Sequence, residues 1–249
     1  MKKLWLLVAL GIGAYVLFAL ITLPASVAVA PLQSSGITAA GVSGTAWKGR
    51  AQVLQVQGMR LGGIEWDLHI LRLFTGRLSA DVKLTRIDGF AQAELTITPG
   101  GRTDFADLSA SLPLSALPPN VVPGGWTGKL NLRLARLVLE HSWPSSADGT
   151  IEAVDITGPA RKPANMGSYK ITFPAAAETT AETLTGALTD TGGPLQVTGT
   201  VQLKAARSYL IEGLIATRAD APQDVVNALQ YLGPADPEGR RPFSFSGTL

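Results

Sequence analysis

Apolar and polar residues alternate along most of the chain that follows residue 24. Apolar residues occupy positions 78, 80, 82 and 84, with polar residues at 79, 81 and 83. The same period of two recurs at 91–97, 130–134 and 195–203. Successive side chains of a β-strand point to opposite faces, and strands with one apolar and one polar face are typical of antiparallel sheets. The pattern predicts a mainly β protein with antiparallel, twisted or curved sheets built from hairpins.

A short motif precedes three of the predicted strands: an aromatic residue, any residue, glycine and a basic residue. It occurs at 47–50, 74–77 and 126–129. We interpret it as the start of a repeated hairpin whose aromatic residue closes one end of a sheet. Chance recurrence is the alternative, because the three copies are unequally spaced.

One short helix is predicted near the C-terminus, in the stretch APQDVVNALQYLGP. Asp220 is placed to cap it, Pro222 suits its first turn, and Gly233 ends it. We expect its apolar face to pack on a sheet, through Val225, Leu229 and Leu232.

The N-terminus predicts a membrane anchor. Lys2 and Lys3 precede an uncharged run, residues 4–23, which Pro24 ends. About 20 apolar residues are what an α-helix needs to cross the hydrocarbon layer. Lysines before the helix favour a cytoplasmic N-terminus. We therefore expect residues 1–3 in the cytoplasm, a single transmembrane helix at 4–23, and residues 24–249 in the periplasm of a bacterium, so that the protein is a single-pass protein of the cell inner membrane.

A cleaved signal peptide is the alternative to the anchor. Small residues suited to cleavage occur at 28–30, where Pro31 follows directly and should obstruct cleavage, and again at 26–28. The apolar run is longer than the roughly 7–15 residues usual in signal peptides. This length favours an uncleaved helix.

A proline-rich stretch, residues 111–125, interrupts the strand pattern. Such composition is typical of a linker or of a long loop over a sheet edge. It predicts a subdivision of the periplasmic part near residues 113–125.

Charge and composition exclude several classes of function. The chain has 21 basic and 19 acidic residues, a balance that gives no broad positive field for nucleic acid. It contains no cysteine, which excludes disulfides, thiolate metal sites and cysteine nucleophiles. Its two histidines, His69 and His141, are too few for a histidine-rich metal site. We predict no metal and no cofactor.

Two stretches suggest chemistry and then fail to support it. The glycine-rich GVSGTAWKGRA at 41–51 has Lys48 before Gly49, the reverse of a phosphate-binding loop, and no hydroxyl residue sits where magnesium would need one. Glu65 and Asp67 share one face of a predicted strand, at a separation that paired-carboxylate glycosidases use. Apolar residues fill the opposite face, so the two carboxylates lie where solvent-facing residues belong. We predict no catalytic residues and no enzyme.

The C-terminus predicts a last strand with Phe243 and Phe245 inward and Ser244 and Ser246 outward. Arg240 and Arg241 are interpreted as a charged turn before it, with acidic groups of a partner as the alternative. A terminal apolar strand with a free edge can also be completed by another protein through strand addition.

Three stretches resemble the type II secretion system protein N family, also called general secretion pathway protein N. They are SGTAWKGRA, EGLIATRAD and LQYLGPADPEGRRPFSFSGTL. The resemblance rests on twelve residues, which we call the family-motif residues. They are Gly44, Trp47, Gly49, Gly213, Thr217, Arg218, Gly233, Gly239, Arg240, Arg241, Pro242 and Phe243.

The resemblance implies an inner-membrane protein of Gram-negative bacteria with a β-rich periplasmic domain. It would belong to the apparatus that exports folded proteins across the outer membrane, where it would act by protein–protein interaction. The implied partners are other inner-membrane platform proteins, the pseudopilus or the secretin. No catalytic or cofactor residues come with the family.

Two alternatives stay open at this point. The stretch GGIEWDLHILRLFTGRLSADVKL also resembles the AsmA-like family, whose β-hairpins build a curved sheet with an apolar trough. That resemblance implies a β-groove protein that handles or transports lipids in the envelope, with a lipid ligand. The other alternative is an anchored scaffold that binds no ligand.

Overall fold

The computed structural model describes residues 2–30, 36–56, 58–117, 122, 124–159, 164–174 and 183–248. At positions 2–4, 6–9, 17 and 28 the description covers the backbone alone. The chain divides into two units, one up to Ile87 and one from Asp88 onward. Antiparallel strands make up most of the second unit and form the sheet of the first, which confirms the mainly β fold.

The described residues of the first unit form three helices and five strands. Its strands lie in the order β1, β3, β4, β5, all antiparallel, and β2 pairs with the start of β3. The elements are α1 (Lys2–Ile21), α2 (Ala25–Val29), β1 (Ile37–Ala40), β2 (Ser43–Gly44), β3 (Lys48–Val56), β4 (Met59–Leu68), α3 (Ile70–Leu73) and β5 (Leu78–Thr85).

The second unit is a chain of antiparallel hairpins, in which each strand pairs with the next one in sequence. Its strands are β6 (Phe90–Thr98), β7 (Arg102–Pro113), β8 (Thr127–Glu140), β9 (Trp143–Thr157), β10 (Asn165–Phe173), β11 (Thr183–Gly192), β12 (Leu195–Lys204), β13 (Ser208–Thr217) and β14 (Arg241–Thr248). A 3-10 turn at Leu114–Ala116 follows β7, and α4 (Gln223–Leu229) with a 3-10 turn at Gln230–Leu232 follows β13.

The predicted alternation is confirmed most clearly in β8 and β12. Leu134 is buried while its neighbour Arg133 is exposed, and Leu195 and Val197 are buried on either side of exposed Gln196. Full burial of a leucine or valine side chain stabilises a fold by about 1.5–3 kcal/mol. One core cluster of the second unit comprises Leu134, Ala147, Phe173 and Leu184.

In β6 the alternation is weaker than the sequence predicts. Glu94 and Thr96, predicted to face solvent, are half-buried, and Ile97, predicted to be buried, is 39% exposed. A bulge lies in β7 opposite the step from Gln92 to Glu94, where Asp107 has φ 51°. An extra residue increases the local twist of a strand. The two faces of this hairpin are therefore less distinct than those of a flat strand.

At the start of β5 the predicted faces are reversed. Leu78, predicted to be buried, is 40% exposed, and Ser79, predicted to face solvent, is 0% exposed. The polar atoms of Ser79 are bound, because its Oγ accepts from Arg72 Nη1 at 2.9 Å and its carbonyl accepts from the N–H of His69 at 2.8 Å. Satisfied hydrogen bonds make burial of a hydroxyl affordable.

The predicted C-terminal helix exists as α4, and its apolar face packs on the sheet as expected, with Val225 in a cluster beside Leu195 and Val197. Its capping differs from the prediction. Pro222 rather than Asp220 is the N-cap residue, and the helix begins at Gln223. Gly233, with φ 103°, follows the last turn as predicted.

The three copies of the aromatic motif lie at the starts of β3, β5 and β8, as predicted, and in the first and third copies the strand begins directly after the aromatic residue. Their aromatic residues differ in environment: Trp47 and Trp126 are half-buried, whereas Phe74 is 86% exposed. Phe74 therefore does not close a sheet end, because it lies in the loop that α3 inserts before β5.

The subdivision expected near residues 113–125 of the periplasmic part stays a prediction. The strands on either side of that stretch, β7 and β8, pair from Arg102↔Glu140 to Pro113↔Lys129. Residues 118–121 and 123 of the stretch lie outside the described part of the chain, as do Met1 and Pro31 of the N-terminal predictions.

Residues Lys2–Ile21 form the helix α1. Within the ranges that the structure covers, no helix meets both the length and the apolar character needed to cross a membrane. The predicted transmembrane anchor stays a prediction.

Candidate functional site

The loop between α4 and β14 is closed by its own charged residues. Arg240 donates from Nε to Asp236 Oδ2 at 2.8 Å and from Nη2 to Glu238 Oε2 at 3.0 Å. The backbone N–H of Arg240 donates to the other oxygen of Asp236 at 2.8 Å. Desolvation opposes the ionisation of Asp236, but these bonds outweigh it and hold its pKa below the ordinary value. Arg240 is thus bound within its own loop.

Arg241, the family-motif residue that follows Arg240, is also turned inward. A guanidinium nitrogen of Arg241 donates to the carbonyl of Gly233, which joins the two ends of the loop. Gly239 has φ 78°, a left-handed conformation that glycine adopts at little cost. Arg240 therefore lies in the turn before the last strand, as predicted, whereas Arg241 is the first residue of that strand.

Arg218 clamps the turn between β11 and β12. Its Nη1 donates to the carbonyls of Gly193 at 2.7 Å and Leu195 at 2.9 Å, and its Nη2 donates to a carboxylate oxygen of Asp190. The other oxygen of Asp190 accepts from the N–H of Val197 at 2.9 Å. Burial would raise the pKa of Asp190, yet these hydrogen bonds hold it below the ordinary value. The motif residue Arg218 thus has a structural role.

Gly213 lies where two strands approach closely. It pairs with Gly199 of β12 on one side and with Phe243 of β14 on the other. A Cβ atom at Gly213 would lie 2.2 Å from the carbonyl oxygen of Thr198. Such a distance excludes any side chain at this position without a backbone shift. Thr217, the last residue of β13, pairs with Leu195 and is exposed.

An apolar cavity of about 500 Å³ lies between α4 and the strands β10–β14. This volume is within the range of about 300–1,000 Å³ that is usual for ligand pockets. Apart from Asp224 and the hydroxyl of Tyr169, its lining side chains are apolar. They include Leu188, Val197, Ile215, Leu229, Phe243 and Phe245.

Tyr169 brings its polar group into this cavity in a satisfied state. Its hydroxyl donates to the carbonyl of Met166, three residues earlier in the same strand. Burial, with the nearby charge of Asp190, raises the pKa of Tyr169 to about 12. The phenol is therefore neutral at physiological pH, and the cavity presents an uncharged wall on this side.

The last strand, β14, forms one rim of the cavity. It pairs with β13, and within the described residues its other edge has no partner strand. The rings of Phe243 and Phe245 lie 5.8 Å apart. Phe243 is half-buried as predicted, but Phe245, also predicted inward, is 57% exposed because it lies at the open side of the cavity. Tyr231, in the turn that contacts β14, is 92% exposed.

The family-motif residues Gly44, Trp47 and Gly49 lie in the first unit, and Trp47 contacts the end of α1. The indole N–H of Trp47 donates to the carbonyl of Leu20 at 2.7 Å. The N–H of Ala46 donates to the carbonyl of Leu23 at 2.8 Å, and Pro24 forms a β-bridge with Thr45. These bonds attach the end of the N-terminal helix to the start of β3.

Close contacts require glycine at both Gly44 and Gly49. A Cβ atom at Gly49 would lie 2.5 Å from Cζ2 of Trp66, and one at Gly44 would lie 2.6 Å from the carbonyl oxygen of Lys48. Gly44 also has φ 93°. The stretch at 41–51 therefore holds the compact turn between β2 and β3, and Gly44 and Gly49 allow its backbone to pack closely.

The residues considered for catalysis lie in ordinary ion pairs and turns. Asp67 accepts from Lys48 Nζ at 2.7 Å, and His69 Nε2 lies 2.9 Å from Asp81 Oδ2. His141, with φ 51°, accepts from Arg207 through its carbonyl. Among the described residues, histidine, aspartate and glutamate nowhere gather in groups of three or more suited to a metal ion.

The sequence did not indicate two features of the structure. The cavity is built from side chains of five strands and one helix, and only their packing reveals it. The helix α3 interrupts a stretch that the strand pattern covers, and its apolar residues read as part of that pattern. The one sequence signal for this helix is the combination of apolar and basic residues in ILRLFTGR, which departs from the strand alternation.

Comparison with known proteins gives one consistent result. Residues 35–244 match the family described as Type II secretion system (T2SS), protein N. The chain is 27% identical over 240 residues to the type II secretion system protein N of Vibrio cholerae serotype O1, with 91% of each chain covered. It is 26% identical over 260 residues to that of Aeromonas hydrophila, with 100% of each covered. No solved structure matches the chain significantly.

Proposed function

This chain belongs to the type II secretion system protein N family, and we propose that it acts as a membrane-anchored periplasmic protein that binds another secretion component along its last strand. It is a component of the type II protein secretion apparatus. The proposal concerns where the protein lies and which surface it uses.

The anchor is supported by the sequence and by exposure along α1. Residues 4–23 carry no charge and follow two lysines. Leu10, Tyr15 and Phe18 are each at least 66% exposed, and residues 10–16 are exposed without exception, so this part of the helix has no buried face. A helix that is apolar all round is typical of a membrane span. The lysines place its start in the cytoplasm and the strands in the periplasm.

The bond between Trp47 and Leu20 gives the anchor a defined exit into the first unit. Because Ala46 also binds Leu23, the residues that follow the helix are held against β3 rather than connected by a free linker. A short fixed exit would keep the strands close to the membrane surface, where the platform proteins of the apparatus lie.

The partner surface is the free edge of β14. An edge strand offers a row of backbone groups with which an extended segment of another protein can pair. Phe245 and the exposed ring of Tyr231 lie on this side, and aromatic residues are enriched at interfaces. We propose that the occupant is an extended segment with apolar alternate side chains, which continue the row of Phe243 and Phe245 over the cavity.

Site-specific photo-crosslinking in cells tests this surface. A photoreactive amino acid replaces Phe245 in one variant and Phe90, which is 40% exposed on β6, in a matched control. We expect an adduct with an identified platform, pseudopilus or secretin protein from position 245 and not from position 90. Equal adducts from both positions, or none from 245, would count against the edge as the binding surface.

Lipid handling is the second candidate, and the apolar cavity is the observation that favours it. Full-length protein and a Leu188→Trp variant, in which the larger ring fills the cavity, are purified in parallel and their lipids extracted. The anchor binds lipid equally in both, so only the difference reports on the cavity. Lipid handling predicts more phospholipid per protein in the wild type, and equal amounts would exclude it.

A further inference from the structure

We propose that the α3 loop, residues 69–78, lies on the surface of the membrane that holds α1 and contacts its anionic lipids. The inference rests on the proposed anchor and adds to it a second membrane contact in the first unit. It assigns a role to an apolar surface that packing does not explain.

The α3 loop exposes its largest apolar side chains. Leu71 is 82% and Phe74 86% exposed, and Ile70 and Leu78 are each at least 40% exposed. All four residues of α3 are exposed. A helix of one turn is normally held by burying its apolar side, whereas this one points its apolar residues outward. Large apolar residues grouped in this way mark a surface that meets something other than water.

The loop lies at the end of the first unit where α1 ends. The carbonyl of Trp47, whose indole binds Leu20, accepts from the N–H of Leu68 at 2.6 Å. Leu68 is the last residue of β4, and α3 begins two residues later. The N–H of His69 donates to the carbonyl of Ser79 at 2.8 Å and closes the base of the loop. Two hydrogen bonds therefore connect the last turn of the apolar run to the start of the exposed loop.

The charge of the loop matches an anionic lipid surface. Arg72 and Arg77 belong to the loop, and its sequence contains no acidic residue. On the adjoining strands, Asp67 contacts Lys48 and Asp81 contacts His69. Leucine and phenylalanine beside arginine are typical of segments that lie in a membrane interface.

Lipid suits this surface better than a protein does because of Trp47. Tryptophan is enriched at the level of lipid headgroups. Here its N–H binds a carbonyl three residues before the end of the uncharged run, so its ring is at the depth where the proposed anchor leaves the hydrocarbon layer. A loop that begins beside it starts at the same depth.

Depth-dependent fluorescence quenching tests the inference on the full chain. Because the chain has no cysteine, single-cysteine variants can be labelled with an environment-sensitive fluorophore and reconstituted into phosphatidylethanolamine–phosphatidylglycerol vesicles that carry a spin-labelled lipid. The variants are Leu71→Cys and Phe74→Cys in the loop, Val16→Cys in α1, and Ile87→Cys as the matched control. Ile87 is fully exposed and lies beyond the opposite end of β5, about 25 Å along the strand.

We expect quenching and a blue-shifted emission at positions 71, 74 and 16, and neither at 87. Quenching at 71 and 74 should weaken in phosphatidylcholine vesicles or after Arg77→Gln. If position 16 is quenched and 71 and 74 are not, the anchor stands and the loop contact is wrong. A blue shift at 71 and 74 without quenching would show a protein cover and overturn the lipid contact. If position 16 is not quenched, the anchor itself fails, whatever the loop does.

Discussion

The indole N–H of Trp47 donates to the carbonyl oxygen of Leu20 over 2.7 Å. This bond joins a motif residue at the start of β3 to the last turn of α1. Phenylalanine has a ring of similar character but no donor, so it could not form this bond.

We predict that Trp47→Phe loosens this attachment and that Trp47→Ala loosens it further. The phenylalanine keeps most of the ring packing and loses the hydrogen bond, at a cost of about 0.5–1.5 kcal/mol. The alanine also loses the packing of a half-buried ring, at a cost of about 2–3 kcal/mol in total. Hydrogen exchange of the amides of Ala46 and Leu68 measures both changes. Equal exchange in wild type and Trp47→Phe would show that the bond contributes nothing.

Arg218→Lys should destabilise the second unit by about 2–4 kcal/mol, although it keeps the charge. A lysine ammonium cannot reproduce the fork that binds two carbonyls and Asp190 together. This destabilisation is somewhat smaller than the roughly 3–5 kcal/mol that breaking a fully buried ion pair costs, because the side chain of Arg218 is 38% exposed. Hydrogen exchange in β11 and β12 measures the loss. Arg133→Lys, on the exposed face of β8, is the matched control and should leave exchange there unchanged.

Tyr169 should make the second unit less stable at alkaline pH. Its pKa is about 12 in the folded chain and about 10 when unfolded, so the neutral phenol favours folding. This contribution is complete below pH 10 and is lost as the pH rises toward 12, up to about 2 kcal/mol. Unfolding measured from pH 8 to 12 should show this decline in wild type. In Tyr169→Phe the decline should be smaller by that amount, and an unchanged pH profile would contradict the assignment.

Gly213→Ala should prevent correct pairing of β12, β13 and β14. Its Cβ atom would meet backbone atoms of Thr198 and Gly199 at 2.2 and 2.6 Å, and backbone cannot move aside as a flexible side chain can. Gly158→Ala is the matched control, because its Cβ atom would meet only the ring of Trp126 at an ordinary 3.7 Å. The folded yield of the two variants measures the difference. A normal yield of Gly213→Ala would show that the strands can separate at little cost.

The sequence predicted those parts of the fold in which one face is fully buried. Leu134 and Val197 alternate with exposed residues, so a period of two identified their strands. The prediction was wrong at Ile97 of β6, which is 39% exposed although the alternation places it on the apolar face. It was also wrong at Ser79, whose burial depends on a hydrogen bond from Arg72.

The site was less predictable than the fold. The motif residues were identified from the sequence, but the inward bonds of Arg218 and Arg241 were not, since most of their partners are carbonyl groups that sequence does not distinguish. The cavity depends on residues from β10 to β14 and on α4 above them. Such a combination follows from the order of the strands, which alternation alone does not determine.

The export of a folded protein tests the central claim most directly. A strain that lacks this gene is complemented with wild type, Phe245→Asp or Phe90→Asp, and a secreted hydrolase is measured in the periplasm and in the medium. The account predicts that Phe245→Asp accumulates normally but leaves the hydrolase in the periplasm, because a charge at the edge of β14 blocks an apolar partner segment, whereas Phe90→Asp and wild type restore export. Full export by Phe245→Asp would contradict the proposed role of this edge.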